Sequence, residues 1–197
     1  ARGRDAKKMN STKGAGKRGK RVGNVEEKNA KTVIRLRRAQ EKDIKGIGRL
    51  LLQVNALHHE GRADLFKAGA RKYSDTQLKE ILKEEKTPVF VAVNDIGEVE
   101  GYAFCIFQSH PDDSILTDIK TLYIDDLCVD ENTRGKGIGA RLFSFVSDFA
   151  RERGCYNLTL NVWSCNPAAL RFYERTVFLS VFRSRKDRYG SRHGRRV

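Results

Sequence analysis

No run in the 197-residue sequence approaches the roughly 18 consecutive apolar residues of a membrane-spanning helix, and no apolar stretch follows the charges of the first residues. Neither a membrane span nor a secretory leader is expected, and a cytoplasmic protein with no membrane partner is the resulting expectation. The four cysteines, Cys105, Cys128, Cys155 and Cys165, form no Cys-x-x-Cys pair, and no histidine stands at metal-ligand spacing from them. A zinc site and a disulfide framework are therefore not indicated, and reduced thiols follow. Aromatic residues are missing from residues 1–31. That absence removes the base-stacking platform of a single-strand nucleic-acid binder.

Acidic residues are scarce only at the two ends. Residues 1–31 carry eleven Lys or Arg against Asp5, Glu26 and Glu27, and residues 183–197 carry seven against Asp187, for net charges of +8 and +6. These account for the whole formal charge of +14, so residues 32–182 balance, with 21 basic and 21 acidic side chains. A globular domain is expected over 32–182, flanked by basic tails at 1–31 and 183–197. The first tail has almost no aliphatic surface with which to offset chain entropy and reads as disordered. Lys and Arg runs give salt-dependent affinity for phosphate, so the tails suit nucleic acid or the ribosome, or serve only as solvated extensions.

Within the domain, Thr32–Arg38 alternates as a strand, and Ile44, Ile47, Leu50, Leu51 and Val54 mark a helix from Glu41 to Ala56. Ser74-Asp75-Thr76-Gln77 has the form of a capping box, opening a helix to about Glu85. Val89–Asn94 and Val99–Gln108 form a hairpin about Asp95-Ile96-Gly97, and Thr121–Val129 is a further strand. A helix over Gly135–Arg153, a strand over Asn157–Val162, a short helix over Pro167–Arg175 and a strand over Phe178–Phe182 complete the order β-α-α-β-β-β-α-β-α-β. The second half implies a parallel β-α-β unit, and in such sheets ligands bind beyond the carboxyl ends of the strands.

Arg134-Gly135-Lys136-Gly137-Ile138-Gly139 joins a strand to an amphipathic helix. Glycines remove the Cβ atoms that would hold an anion away, the amides converge, and the helix start adds roughly half a positive charge. The spacing is neither a Walker loop nor a Rossmann fingerprint. Farther on stands Asn166-Pro167-Ala168-Ala169-Leu170-Arg171-Phe172-Tyr173.

Together the two motifs resemble those of the GNAT superfamily of N-acetyltransferases, over roughly residues 32–182. The resemblance implies an α/β (α+β) fold, a mixed and mostly antiparallel sheet of about six to seven strands flanked by four helices. It implies acetyl-CoA as acetyl donor, with Arg134, Gly135, Lys136, Gly137, Ile138 and Gly139 on the pyrophosphate, main-chain groups of Leu127, Cys128 and Val129 on the pantetheine arm, and Asn166 and Ala169 beside that arm. No metal is implied, and a homodimer is left open.

The chemistry needs a proton sink, because an amine with a pKa of about 10 must lose a proton to attack a thioester, and an acid for the leaving thiolate. By the resemblance, Tyr173 is that acid. Tyr123-Ile124-Asp125-Asp126 offers two adjacent carboxylates in an apolar strand, expected to point to opposite faces. This strand is most similar to the spermidine/spermine acetyltransferase branch, which implies Asp125 as base through water and Asp126 as acceptor anchor. A carboxylate simply paired with arginine or backbone is the bland alternative for either. Asn161 stands where ribosomal-protein N-terminal acetyltransferases often carry glutamate, and Val177-Phe178 replaces the usual Gly-Phe. Acceptor specificity is expected from a loop over Leu57–Phe66, where Glu60 and Asp64 suit a cationic amine and His58 and His59 suit proton handling or carbonyl capping. The expected function is N-acetyl transfer to a primary amine, small or on a protein. The alternative is a binding protein of the same fold that uses its tails on nucleic acid or the ribosome.

Overall fold

The computed structural model describes residues 33–111, 113–115, 117–162 and 166–176. Among these, five strands form one sheet in sequential order: β1 (Arg35–Arg38), β2 (Val89–Val93), β3 (Val99–Gln108), β4 (Thr121–Val129) and β5 (Asn157–Leu160). The first four are antiparallel neighbours, and β5 joins parallel to β4. The sheet thus has five strands here rather than six or seven. The expected strand at 178–182 lies outside the described residues, as do both basic tails and Cys165.

Helices cover both faces. α1 (Ile44–Gly61) and α2 (Asp75–Lys83) lie on one, and α3 (Ile138–Glu152) lies on the other. A fourth helix, α4 (167–176), packs Phe172 and Tyr173 against the core on the α3 side. Because both faces are covered, β2 reads as an unbroken apolar run. Val89, Val91 and Val93 join Ile47, Leu50, Leu51 and Leu78 in one core, while Phe90 and Ala92 join Ile138, Leu142 and Val146 in the other.

Local chemistry explains most boundaries. Ser74 Oγ accepts from Gln77 N at 3.2 Å and Gln77 Oε1 accepts from Ser74 N at 2.8 Å, so the capping box opens α2 as expected. α2 stops at Lys83, short of Glu85, whose carboxylate is drawn to Arg38 of β1 at 2.9 Å. α1 corrects the reading of its own end. Nothing between Leu57 and Glu60 breaks a helix, so it runs on to Gly61, and His58, His59 and Glu60 are helical rather than loop residues. A one-turn 3₁₀ helix (Glu41–Asp43) precedes α1 and is tied down by Arg37, which grips buried Asp43 at 2.7 and 2.9 Å.

Candidate active site

The feature that builds the site is an extra residue in β4. Phe104 pairs with Asp126 while Cys105 pairs with Ile124, leaving Asp125 as the inserted residue of a β-bulge. Upstream of it, Leu122 and Ile124 face the α3 core. Downstream the parity inverts, so that Cys128 faces the α1 core and Leu127 and Val129 pack on the α3 side. Asp125 and Asp126 therefore both point to the α1–α2 face, not to opposite faces: the bulge cancels the alternation that the sequence implied.

The two carboxylates have different surroundings. Asp125 Oδ2 accepts from Lys72 Nζ at 2.6 Å and, more weakly, from Tyr73 Oη at 3.4 Å. Asp126 Oδ2 accepts from the buried Tyr102 Oη at 2.8 Å. Burial raises the Asp126 pKa, and the neighbouring Asp125 charge adds to it, against the opposing pull of the Tyr102 bond and the Lys72 charge. Lys72 is held above its ordinary value: burial pulls it down, but the bond and charge of Asp125 more than offset that.

These groups line a cleft of about 460 Å³ that also contains Leu127, Asn161, Asn166, Ala169 and Tyr173. It exists because β5 pairs with β4 only as far as Ile124 opposite Leu160, so from Asp125 to Val129 one edge of β4 has no strand beside it among the described residues. Asn166, Ala169 and Tyr173 reach it from one face of α4, three and four residues apart. Asn166 Oδ1 caps that helix by accepting from Ala169 N at 3.0 Å. Tyr173 packs edge-on to Phe172 and Phe143. Burial first, and the Asp126 charge second, push its phenol well above the usual tyrosine range, so it stays protonated.

At the far end of β4, buried Asp130 accepts from Asn132 N at 3.0 Å and is gripped by Arg49, which fixes the 3₁₀ turn Glu131–Thr133. The glycine loop follows. Gly135 and Gly137 have φ of 80° and 78°, so α3 begins at Ile138 rather than Gly135. No side chain caps α3 and no acid stands in its first turn. A Cβ on either glycine would meet nothing within 4 Å, so the surface above the loop is open to an anion. Gly139 differs: its Cβ would come within 3.3 Å of the Phe172 ring, so this glycine lets α4 lie close to α3. Arg134 Nε donates to Val129 O at 3.2 Å, and Lys136 is exposed.

The expected site residues thus fall into two groups. Asp125, Asp126, Leu127, Asn166, Ala169 and Tyr173 share the cleft, and the loop from Arg134 to Gly139 leads directly from β4 into α3. Glu60 and Asp64 are not in the cleft wall; Asp64 is exposed and bound to Arg62 at 2.7 Å. His59 Nδ1 lies 2.6 Å from Phe66 O, a carbonyl contact rather than a cleft position. Sequence reasoning missed Lys72, Tyr73 and Tyr102. Tyr102 was legible as a polar-tipped residue in a buried strand; Lys72 had no such signal. Buried Cys105, Cys128 and Cys155 have thiols raised by burial, that of Cys128 to about 12, so none of these three is a nucleophile. Among the described residues no cluster suited to a metal ion and no helix long and apolar enough to cross a membrane is present. A second depression, of about 580 Å³, lies by Lys42, Arg49 and Glu98 and contains neither the paired carboxylates nor the phenol.

The chain is similar to several known proteins. The chain is 37% identical over 89 residues to streptothricin acetyltransferase of Streptomyces lavendulae, covering 45% of this chain and 43% of that enzyme, so it spans less than half of that relative. It is 30% identical over 144 residues to the uncharacterized N-acetyltransferase YhfO of Bacillus subtilis, covering 73% of this chain and 88% of that one. The crystal structure of a tetramutant of BH1408 from Bacillus halodurans superposes with a TM-score of 0.67 at 25% identity, over 82% of this chain and 97% of that one. The acetyltransferase (GNAT) family model matches residues 54–177, which is more than half of the sequence, and the chain belongs to the GNAT acetyltransferase family.

Proposed function

We propose that this protein is an acetyl-CoA-dependent N-acetyltransferase that acts on a primary amine by direct attack. The observation that carries the reading is the bulge at Asp125, which sets two carboxylates side by side in the cleft that also holds the Tyr173 phenol. In this reading the amides from Gly135 to Gly139 hold the diphosphate of the donor, assisted by Arg134 and Lys136. The open edge of β4 from Leu127 through Cys128 to Val129 offers main-chain groups to the pantetheine amides. Asn166, with its oxygen used as a cap, offers Nδ2, and the small side chain of Ala169 leaves room for the arm.

The acceptor enters as an ammonium and is anchored by Asp125. Asp126, whose proton affinity is raised, first takes a proton from the ammonium through water, and the freed amine attacks the thioester carbonyl. The roles expected of the two carboxylates are thereby exchanged, because the Asp125 oxygen is already committed to a cation. As the carbon–sulfur bond breaks, Tyr173 gives its proton to the departing sulfur and recovers the second nitrogen proton through cleft water, while the Asp126 proton returns to solvent through the cleft. A thiol relay is disfavoured by the raised pKa values of the described cysteines. The relative named for streptothricin supports an amine acceptor.

The test is incubation of the purified protein with acetyl-CoA and a panel of primary amines, reading thiol release. Amine-dependent release is expected. No release with any amine, together with no uptake of coenzyme A by calorimetry, would overturn the reading.

A further inference from the structure

The acceptor end of the cleft already contains a cation. Lys72 Nζ stands 2.6 Å from Asp125 Oδ2 and 5.4 Å from the centre of the Tyr73 ring. The Lys72 side chain is 43% exposed and that of Asp125 19%, so the pair sits at the rim, where the lysine has room to swing. Two other basic side chains line the cleft. Arg71 is bound to Asp75 at 2.8 Å, and the His58 ring lies tilted against Phe66 at 4.9 Å, from where its charge acts on Asp126. Lys72 is the cation bonded to Asp125.

An incoming ammonium must compete with it. A purely cationic acceptor at Asp125 either sets a second cation on the carboxylate beside Lys72, whose bond is on Oδ2, or displaces Lys72 and leaves it without its counter-ion. An acceptor that carries an anion beside its amine instead exchanges partners: its ammonium takes Asp125, its anion takes Lys72, and no charge is left uncompensated. Such a device discriminates by penalising the wrong charge pattern as much as by attracting the right one. We infer that Lys72 is a specificity residue that selects primary amines bearing a carboxylate or phosphate over purely cationic amines. This rests on the acetyltransferase reading above.

Two acceptor pairs that differ only in the anion test it: L-lysine against cadaverine, and glucosamine 6-phosphate against glucosamine. With acetyl-CoA saturating, kcat/KM should favour the anion-bearing member of at least one pair by about tenfold or more, and the pair that responds tells carboxylate from phosphate. Lys72→Met should remove that preference by lowering the anion-bearing acceptor and sparing or raising the other, and Lys72→Arg should restore it. A merely structural lysine would lower both members together. Preference for the cationic members, or an unchanged ratio in Lys72→Met, overturns the inference. So does failure to acetylate any of the four while coenzyme A binds by calorimetry, an outcome that leaves the acetyltransferase reading to the wider amine panel. Failure of coenzyme A itself to bind overturns that reading and the inference with it.

Discussion

Replacing Asp126 by asparagine should make the protein more stable and less active, with a stability gain that depends on pH. Asp126 is exposed only where it lines the cleft, and burial holds its pKa above the ordinary carboxylate value of about 3.9. The folded protein thus binds this proton more tightly than the unfolded chain does. The contribution of the group is complete below the unfolded pKa and is lost as the pH rises through the folded one. Above that point the parent carries a desolvated charge, whereas asparagine keeps an oxygen for the Tyr102 hydroxyl and never ionises. Each tenfold weakening of the acid is worth about 1.4 kcal/mol. For a domain of this size that corresponds to a rise of roughly 3–6 °C in Tm. Scanning calorimetry of both proteins should show nearly equal Tm values near pH 4, about the unfolded value, and a gap that opens as the pH is raised above it. A gap of the same size at low and high pH, or a variant less stable at high pH, would refute the burial argument. The same substitution should reduce kcat by about a hundredfold or more and abolish the rise of activity with pH that ionisation of Asp126 produces. A stabilised variant with full activity would mean that burial is described correctly and the proton acceptor is not.

Four further changes separate the parts of the site. Tyr173→Phe should lower kcat at least about tenfold with coenzyme A binding retained in calorimetry, since the ring packing on Phe143 survives and only the proton is lost; unchanged turnover would end the assignment of Tyr173 as acid. Gly137→Ala should cost about 1–2 kcal/mol of stability, because alanine at φ 78° is strained, and should weaken coenzyme A binding. Gly139→Ala should act mainly on kcat, since its Cβ pushes on Phe172 and so on the helix that carries Tyr173; equal effects of the two on affinity would contradict the division of labour among the glycines. Deleting Asp125 should leave a folded protein by circular dichroism, because it removes the inserted residue and keeps every other β4 side chain on its present face, yet the product should be inactive; a chain that fails to fold would show that the bulge is needed by the core.

What was legible in the sequence was whatever local periodicity or capping controls. The capping box at Ser74, the hairpin of β2 and β3, and the apolar face of α3 all follow from a few adjacent residues, and the structure contains them with boundaries moved by no more than three positions. The two motifs at 134–139 and 166–173 were legible as motifs too, because they depend on residue types at short spacing. The facing of Asp125 was not. Strand parity is a statement about the ladder, and a bulge is decided by the partner strand, here by Phe104 and Cys105 of β3. Lys72 was invisible for a related reason: it lies 53 positions from Asp125, and nothing in its neighbourhood distinguishes it from a solvated lysine. Glu60 and Asp64 drew attention through charge alone, and their charges are directed elsewhere once α1 continues through His59.

In the proposed function, the bulge lets one short strand serve both substrates. An unbroken β4 would put Asp125 and Asp126 on opposite faces, one toward α1 and one into the apolar layer under α3, where a carboxylate has no partner. The inserted residue turns both toward the same cleft, and the strand bends where it is inserted, as bulged strands do. The last β4–β5 pair is Ile124 with Leu160, immediately before the insertion. The main chain that β5 abandons from Asp125 onward thus has no strand on one edge among the described residues, with Val129 O taken by Arg134 Nε, and it runs straight into the open glycine loop and the uncapped start of α3. The proposed reading thus takes carboxylates for an amine and amides for an acyl carrier from the same nine residues, on a side-chain face and a main-chain edge respectively. The cost is one unpaired residue, offset by the Lys72 and Tyr73 contacts that hold Asp125 in its turned position.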